Sequence, residues 1–358
     1  MRFNVPTSPY DFEIEQLTEL LGSESDARSL FQSLYVNRSP ANDDVLARLG
    51  MSVTPLLRTV SVERGRMSSK YLFEIERTNG VAIEAVRIKR RTGATACAST
   101  QAGCAVGCSF CASGANGLVR NLTAGEIVEQ VMNLGPGVNR VVYMGVGEPL
   151  MNLEAVLKSM RILRDRHGLA LPTSGMTVST IGDPAGLRQL REVHMKFNLT
   201  ISLHATRDDV RHQLMPGTTR HHIEDVVAAA KDWSLRHNRP VTYAYLVFPG
   251  LNDSRSDVRR LTKWFAGGGG RVNLMRWNPV RERAPLPVAR DRDLHRMLEA
   301  LTLGGVEVGV RDTQGLDVHG ACGQLRLRHA RRDQRRAPSN PGVNPTTPSE
   351  VELGPERA

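Results

Sequence analysis

The sequence has few cysteines, few aromatic residues and no long hydrophobic run. Five cysteines in 358 residues are too few for the disulfide framework of a secreted protein. No apolar segment approaches the roughly 20 residues that span a bilayer. The first residues, MRFNVPTSPYDFEIEQL, contain no hydrophobic stretch typical of a secretory signal. We therefore expect a cytoplasmic protein with reduced thiols and no membrane contact.

The chain carries an excess of positive charge, with a formal net charge of +10 and a pI near 9.8. A basic surface favours polyanionic partners such as nucleic acids, because binding releases counterions from phosphates. Part of the excess lies in the late segment RLRHARRDQRR, and the residues after it are rich in Pro, Ser and Thr. We therefore predict a disordered basic tail over residues 329–358.

Four of the five cysteines lie in one short stretch, TACASTQAGCAVGCSFCASGANGLVR. Cys104, Cys108 and Cys111 have the spacing C-x3-C-x2-C, with small residues between them that allow a loop to wrap closely around a bulky group. Cysteine thiolates bind soft metals and iron–sulfur clusters. The spacing favours a cluster, while a zinc site completed by Cys322 and His319 remains the alternative.

From residue 94 onwards, strand-like and helix-like runs alternate. The strand-like runs are 94–100, 140–144, 176–180, 197–203, 241–248, 272–277 and 306–311. The helix-like runs are 123–133, 153–167, 184–193, 222–237, 254–265 and 291–303. This alternation predicts a parallel sheet with crossover helices, either open or curled into a barrel, whose ligands sit at the carboxyl ends of the strands.

Two smaller units are predicted before the sheet. Residues 1–52 suggest short helices, one amphipathic over 11–21, one capped by Ser25 and continuing to residue 35, and a third starting at Asn42 or Asp43. Runs 70–77 and 81–89 flank an Asn-Gly pair, which is typical of a β-hairpin. Glu84 lies in the second of these strands, where an exposed carboxylate is the favoured interpretation from the pattern alone.

Polar residues follow four of the predicted strands. The segments are GVGEPL at 145–150, STIG at 179–182, SLHA at 202–205 and WNP at 277–279. They share a rim with the cysteine loop, which favours one ligand pocket. Cys322, in the segment ACGQL after the last strand, is expected at the same rim. There an accessible functional thiol and a small buried side chain are equally favoured.

These motifs resemble those of radical S-adenosylmethionine (SAM) enzymes, and within them the RlmN/Cfr family of RNA adenine methyltransferases. The segments that carry the resemblance, over about residues 70–325, are CASTQAGCAVGCSFC, GVGEPLMN, STIG, ISLHA, Asn252-Asp253, WNP and ACGQL. The pattern and the resemblance imply an α/β fold with a radical SAM partial (β/α)6 barrel over 94–328. A small N-terminal helical accessory domain at 1–52 and a β-hairpin extension at 53–93 would precede it.

The resemblance also implies the cofactors and their ligands. Cys104, Cys108 and Cys111 would hold a [4Fe–4S] cluster whose free iron binds SAM, and two SAM molecules would be used per turnover. The positions that match SAM-contacting residues are Gly147, Glu148, Ser179, Ser202, Leu203, His204 and Asn278. STIG replaces the expected STSG, although Ser179 is retained.

Three further residues have roles implied by the resemblance. Cys322 would be methylated, and a radical derived from the second SAM would activate its methyl group for addition to an adenine carbon. Cys97 would release the product through a transient disulfide with Cys322, and Glu84 would accept a proton. The implied reaction is methylation of adenine C2 in 23S rRNA, with tRNA as a further candidate substrate and a reduced flavoprotein as electron donor.

Other functions remain open at this point. The same chemistry could methylate adenine C8 or another RNA. A different class of function is that of a radical SAM enzyme acting on a peptide or small molecule. In such an enzyme Cys97 and Cys322 would have no role. A zinc-containing RNA-binding module would explain the positive charge but not the four polar strand ends.

Overall fold

The computed structural model describes residues 8–38, 43–51, 54–218, 221–280, 283 and 285–329. The predicted disordered tail falls almost entirely on residues 330–358, outside this range. The strands are β1 Leu57–Arg64, β2 Ser68–Ile75, β3 Val81–Lys89, β4 Ala94–Cys97, β5 Gln101–Gly103, β6 Leu118–Asn121, β7 Val138–Tyr143, β8 Met176–Thr180, β9 Asn198–Ser202, β10 Thr242–Leu246, β11 Arg271–Met275, β12 Glu307–Val310 and β13 Arg328–His329. The α-helices are α1 Ile14–Leu21, α2 Glu24–Gln32, α3 Asp43–Arg48, α4 Ala124–Asn133, α5 Leu153–Arg164, α6 Pro184–Arg191, α7 Asp208–Leu214, α8 Ile223–His237, α9 Arg255–Phe265 and α10 Asp291–Leu303.

Seven parallel strands form the body of the protein, in the order β4-β7-β8-β9-β10-β11-β12. Each successive pair is joined through at least one helix, so the chain repeats a βα unit six times before the last strand. Among the described strands, β12 does not pair back with β4, and the sheet is therefore an open, partial barrel. The predicted α/β partial (β/α)6 barrel is confirmed.

Alternation along the strands separates the core from the inner surface. In β8 the side chains of Met176 and Val178 belong to the hydrophobic core, whereas Ser179 lines a cavity on the opposite face. In β9, Leu199 belongs to the core and Ser202 lines the same cavity. Successive strand residues point to opposite faces, and this two-residue period therefore brings the two hydroxyls together at one end of the sheet.

An antiparallel extension continues the sheet beyond β4. The predicted hairpin is present, but it belongs to a three-stranded unit, since β1 pairs with β2 as well. Strand β2 ends at Ile75 rather than at residue 77, because Arg77, Asn79 and Gly80 all adopt left-handed backbone conformations in the turn. The short strand β13 pairs with the first residues of β3, so the end of the described chain closes onto this extension.

The N-terminal helices pack against α4 and α5 on the outside of the barrel. Phe31 is fully buried in the same core cluster as these helices, and Asp11 accepts a hydrogen bond from the backbone N–H of Gly125 at 2.7 Å. The prediction that Ser25 caps the second helix was wrong. Ser23 is the cap, and its hydroxyl accepts from Asp26 N at 3.3 Å, because the helix begins two residues earlier than the apolar pattern suggests. None of the described helices has the length and apolar character needed to cross a membrane.

Candidate active site

The cysteine loop follows β4 and is held by hydrogen bonds from several parts of the fold. The backbone carbonyl of Val106 accepts a hydrogen bond from Gly217 N at 2.9 Å. The carbonyl of Phe110 accepts one from Trp277 Nε1 at 2.8 Å, and the carbonyl of Cys111 accepts one from Arg283 Nε at 2.9 Å. The N–H of Ala112 donates to Gly323 O at 2.7 Å, next to Cys322. Because these partners are distributed through the sequence, the loop is shaped by the whole barrel mouth.

A cavity at the carboxyl ends of the strands collects eight of the thirteen predicted site residues. They are Cys104, Cys108, Cys111, Gly147, Ser179, Ser202, His204 and Cys322. Aromatic and aliphatic side chains, among them Phe110, Met215 and Trp277, form much of the remaining wall. A mostly apolar wall with a few convergent polar groups is typical of a small-molecule site. The shared pocket predicted from the strand ends therefore exists for these residues.

The three loop cysteines fit an iron–sulfur cluster. Burial raises the pKa of Cys104 to about 12 and also raises the pKa values of Cys108 and Cys111. For Cys108, the neighbouring thiols of Cys111 and Cys104 raise the pKa further. Thiolates at such positions require a metal centre to stabilise their charge. Within the described residues, no three Cys, His, Asp or Glu side chains are grouped as ligands of a single ion.

Glu148 lies behind the cavity wall. Its carboxylate accepts hydrogen bonds from the Thr180 hydroxyl, from Ile181 N at 3.0 Å and from Leu150 N at 3.1 Å. Burial raises its pKa to about 7. The side chain thus ties the end of β7 to the end of β8, and places Gly147 beside the cavity. Leu203 is likewise buried and does not line the cavity.

His204 offers one hydrogen-bond donor to the cavity. Its Nδ1 accepts a hydrogen bond from Leu246 N at 3.1 Å, which leaves the proton on Nε2. Burial, together with the nearby Arg211 cation, lowers its pKa to about 3. The imidazole is therefore neutral at physiological pH. The Phe110 ring packs edge-on against it, with ring centroids 5.0 Å apart.

A second cavity adjoins the first and contains the remaining two cysteines. Cys97 and Asn278 line it, and Cys322 lines both cavities. Cys97 is 8% exposed, and burial raises the pKa of its thiol to about 12. Asn278 donates from Nδ2 to the backbone carbonyl of Cys322 at 3.2 Å. Cys322 itself is exposed, which answers the question of whether this thiol is accessible.

Glu84 lies in neither cavity, and the interpretation of it as an exposed strand carboxylate was wrong. It is 1% exposed and accepts hydrogen bonds from Arg326 N at 2.9 Å and Arg328 Nε at 3.1 Å. The ammonium of Lys70 lies 3.7 Å away. The chain after Cys322 therefore covers Glu84, a contact for which the sequence around Glu84 gives no signal.

Sequence reasoning missed two residues that shape the site. Asp317 accepts hydrogen bonds from Arg66 N and Ser68 Oγ, both at 2.8 Å, and so fastens the Cys322 loop to the turn between β1 and β2. Arg211 is buried on α7, a seven-residue helix that the hydrophobic pattern did not reveal. A single aspartate in a loop and a single arginine on a short helix carry no motif, so only the three-dimensional contacts identify them.

A partial barrel of parallel βα units, with a three-cysteine loop after its first strand facing the carboxyl ends of the others, defines a radical SAM enzyme. The model of the Radical SAM superfamily matches residues 98–262. A solved radical SAM methyltransferase from Sphaerobacter thermophilus superposes with a TM-score of 0.82 and is 33% identical. The match covers 89% of this chain and 99% of that one.

Curated relatives identify the family. A probable RNA methyltransferase of Rhodopseudomonas palustris is 55% identical over 76% of this chain and 75% of its own. A probable dual-specificity RNA methyltransferase RlmN of Symbiobacterium thermophilum is 36% identical over 90% of this chain and 92% of its own. The chain belongs to the RlmN family of SAM-dependent radical RNA methyltransferases. Its cofactors are a [4Fe–4S] cluster and SAM.

Proposed function

We propose that this enzyme methylates C2 of an adenine in 23S rRNA, and that tRNA is a second substrate. The observation that carries the proposal is the placement of Cys97 and Cys322 on one cavity, directly beside the cavity of the three loop cysteines. Two thiols outside the cluster suit a reaction in which the protein binds covalently to its RNA and is then released. With ribosomal RNA as substrate, the enzyme would work in the cytoplasm.

We assign the cofactor-binding roles as follows. Cys104, Cys108 and Cys111 would ligate the cluster, and the mouth of the first cavity would hold SAM. Gly147, Ser179, Ser202 and His204 line that cavity and would contact SAM directly, the last through its Nε2–H. Glu148, Leu203 and Asn278 would support these contacts from behind or from the neighbouring cavity. When bound, the cluster and SAM supply the methyl group and the radical chemistry, two SAM molecules being used per turnover.

Cys322 would carry the methyl group and form the bond between enzyme and RNA. In the release step, the Cys97 thiolate attacks Sγ of Cys322. A sulfur–sulfur bond forms, the bond between Sγ and the methylene carbon breaks, and its electron pair stays on that carbon, which takes up a proton. The two sulfurs are oxidised to a disulfide, and a dithiol or flavin reductant must return them to thiols before the next turnover.

Glu84 would accept the proton that leaves the target carbon. Its carboxylate now accepts hydrogen bonds from Arg326 N and Arg328 Nε, and adenine can reach it only if this segment moves aside. The segment and the RNA would then compete for the same carboxylate.

The substrate is tested by nucleoside mass spectrometry of rRNA and tRNA from cells that lack the gene, complemented with the wild-type enzyme or with Cys322→Ala. The expected result is 2-methyladenosine that disappears without the gene and returns only with the wild type. An unchanged 2-methyladenosine level would overturn the C2 assignment, and loss of 8-methyladenosine instead would establish C8 methylation.

We also propose that a reduced flavoprotein supplies the electrons. Mixing the cluster-loaded enzyme with a low-potential flavodoxin-type reductant should bleach the absorption near 400 nm within the turnover time. A reductant that leaves this absorption unchanged while dithionite removes it would exclude that class of donor.

A further inference from the structure

Arg211 is an almost fully buried cation close to the cluster loop. It is 1% exposed, and its Nη2 donates to the backbone carbonyls of Ile181 at 2.5 Å and Ser202 at 3.4 Å. The Nε atom is buried without a hydrogen-bond partner in the described part of the chain. No carboxylate oxygen of a described residue lies within 4.0 Å of the guanidinium. A buried charge in this situation needs a counter-charge, since its desolvation costs several kcal/mol.

Ile181 and Ser202, whose carbonyls Arg211 contacts, line the same cavity as the three loop cysteines. Burial lowers the pKa of Arg211, and the side chains of Cys108, Asp208 and Glu148 oppose that effect. Helix α7, which carries Arg211, is tied to the loop because Ser109 donates to the Leu214 carbonyl from both N and Oγ, at 2.8 and 3.2 Å. Burial lowers the pKa of Arg211 to about 10, so the side chain stays cationic at neutral pH.

We propose that Arg211 is the counter-ion of the iron–sulfur cluster and raises its reduction potential. The inference rests on the proposed ligation by Cys104, Cys108 and Cys111. Reduction adds one electron from an external one-electron reductant, and the thiolate-bound cluster becomes one unit more negative. A fixed cation in a low-dielectric site stabilises that reduced state more than the oxidised one. The carbonyl contacts to Ile181 and Ser202 make Arg211 a positioning residue that also fixes the ends of β8 and β9.

The test is an EPR-monitored redox titration of the reconstituted, full-length enzyme, without SAM or RNA. Arg211→Met and Arg211→Gln remove the charge, the second retaining an amide donor for the carbonyls, while Arg211→Lys retains the charge. Arg239→Met is the matched control. Arg239 bonds Asn198 Oδ1 at 2.6 Å at the start of β9, roughly 13 Å along the strand from Ser202.

For the neutral variants, the equilibrium constant for reduction of the cluster should be at least tenfold lower than for the wild type. This corresponds to a shift of at least about 59 mV to more negative potential. Arg211→Lys should recover most of the shift, and Arg239→Met should leave the potential unchanged. A neutral variant with full iron and sulfide content and a wild-type potential would overturn the proposal. So would failure of both neutral variants to fold, because Arg211 would then serve the fold alone. A wild-type protein without a four-iron EPR signal would instead refute the proposed cluster ligands.

Discussion

The Nε atom of Arg328 donates a hydrogen bond to Oε1 of Glu84 at 3.1 Å, joining residues 244 positions apart. Arg326 N binds the other carboxylate oxygen, and Lys70 Nζ lies 3.7 Å from the first. Glu84 is therefore the shared anion of a buried charge cluster at the junction of β2, β3 and the end of the described chain. Removing this anion takes a buried carboxylate away from the Lys70 ammonium, whereas removing one cation leaves the anion still partnered.

Glu84→Gln is therefore expected to cost about 3 kcal/mol of unfolding free energy, and Arg328→Gln about 1 kcal/mol. The difference arises because Lys70 is 4% exposed and keeps only its contact with the exposed Glu63 when Glu84 is neutral. Urea denaturation of both variants measures these values. Equal costs would show that Lys70 does not depend on Glu84 for its counter-charge.

Cys97→Ala should trap a covalent complex between protein and RNA. The alanine cannot attack Cys322, so the enzyme should remain bound to its substrate after methyl transfer. Denaturing electrophoresis with labelled RNA would show the retarded species. The double variant Cys97→Ala/Cys322→Ala should show none, and recovery of free, methylated RNA from the single variant would remove Cys97 from the release step.

The geometry of the cavity was predictable from the sequence to the extent that strand periodicity determines it. Parallel strands end at one edge, so the residues at the carboxyl ends of β7, β8 and β9 had to meet, and Ser179 and Ser202 do. Periodicity does not specify how deeply each residue lies. Glu148 and Leu203 follow the same strands but sit behind the wall, because their partners are backbone groups and the core.

Other features lacked a local signal. Strand β1, with the sequence LRTVSVER, is largely exposed, and an irregularity between Thr59 and Ser61 interrupts its two-residue period. Helix α7 has seven residues, too few for a hydrophobic period to be seen. The burial of Glu84 depends on Arg326 and Arg328, more than 240 residues away. Only tertiary packing supplies such contacts.

Gly147→Ala should disrupt the loop that follows β7. The residue has φ +114°, and a Cβ would lie 2.7 Å from Thr100 Oγ1 and 2.8 Å from Gln101 N. Gln101 also accepts a hydrogen bond from Glu148 N at 2.8 Å, so the clash should displace Glu148. We expect a loss of more than about 2 kcal/mol in stability and at least tenfold weaker SAM binding by calorimetry.

The matched control is Gly250→Ala, which has φ +79° and open space around its Cβ position. It should cost only the backbone strain of about 1 kcal/mol and leave SAM affinity unchanged. If both alanines have the same effect, the close approach to Thr100 and Gln101 is not what requires glycine at position 147.

Asp317→Ala should loosen the Cys322 loop. Both hydrogen bonds to the β1–β2 turn, from Arg66 N and Ser68 Oγ, are lost. Amide hydrogen exchange at residues 314–324 should become about tenfold faster, while exchange in β8 and β9 stays unchanged. The adduct yield in a Cys97→Ala background should fall in parallel. Unchanged exchange would show that Asn278 and the cluster loop hold Cys322 without Asp317.

Glu129 should make stability depend on pH. Burial raises its pKa from 4.5 to about 7, although its carboxylate accepts a hydrogen bond from Leu56 N at 2.7 Å. Between pH 5 and pH 7 the folded protein keeps a proton that the unfolded chain has released, so the unfolding free energy falls as pH rises.

Glu129→Gln cannot ionise and retains an acceptor for Leu56 N. Its stability relative to wild type should therefore rise by about 2 kcal/mol between pH 5 and pH 8. Urea denaturation of both cluster-loaded proteins measures this difference. The titration of Glu148 contributes equally to the unfolding free energy of both proteins and therefore cancels in the difference. A difference that does not vary with pH would mean that Glu129 is already ionised at pH 5 in the folded protein.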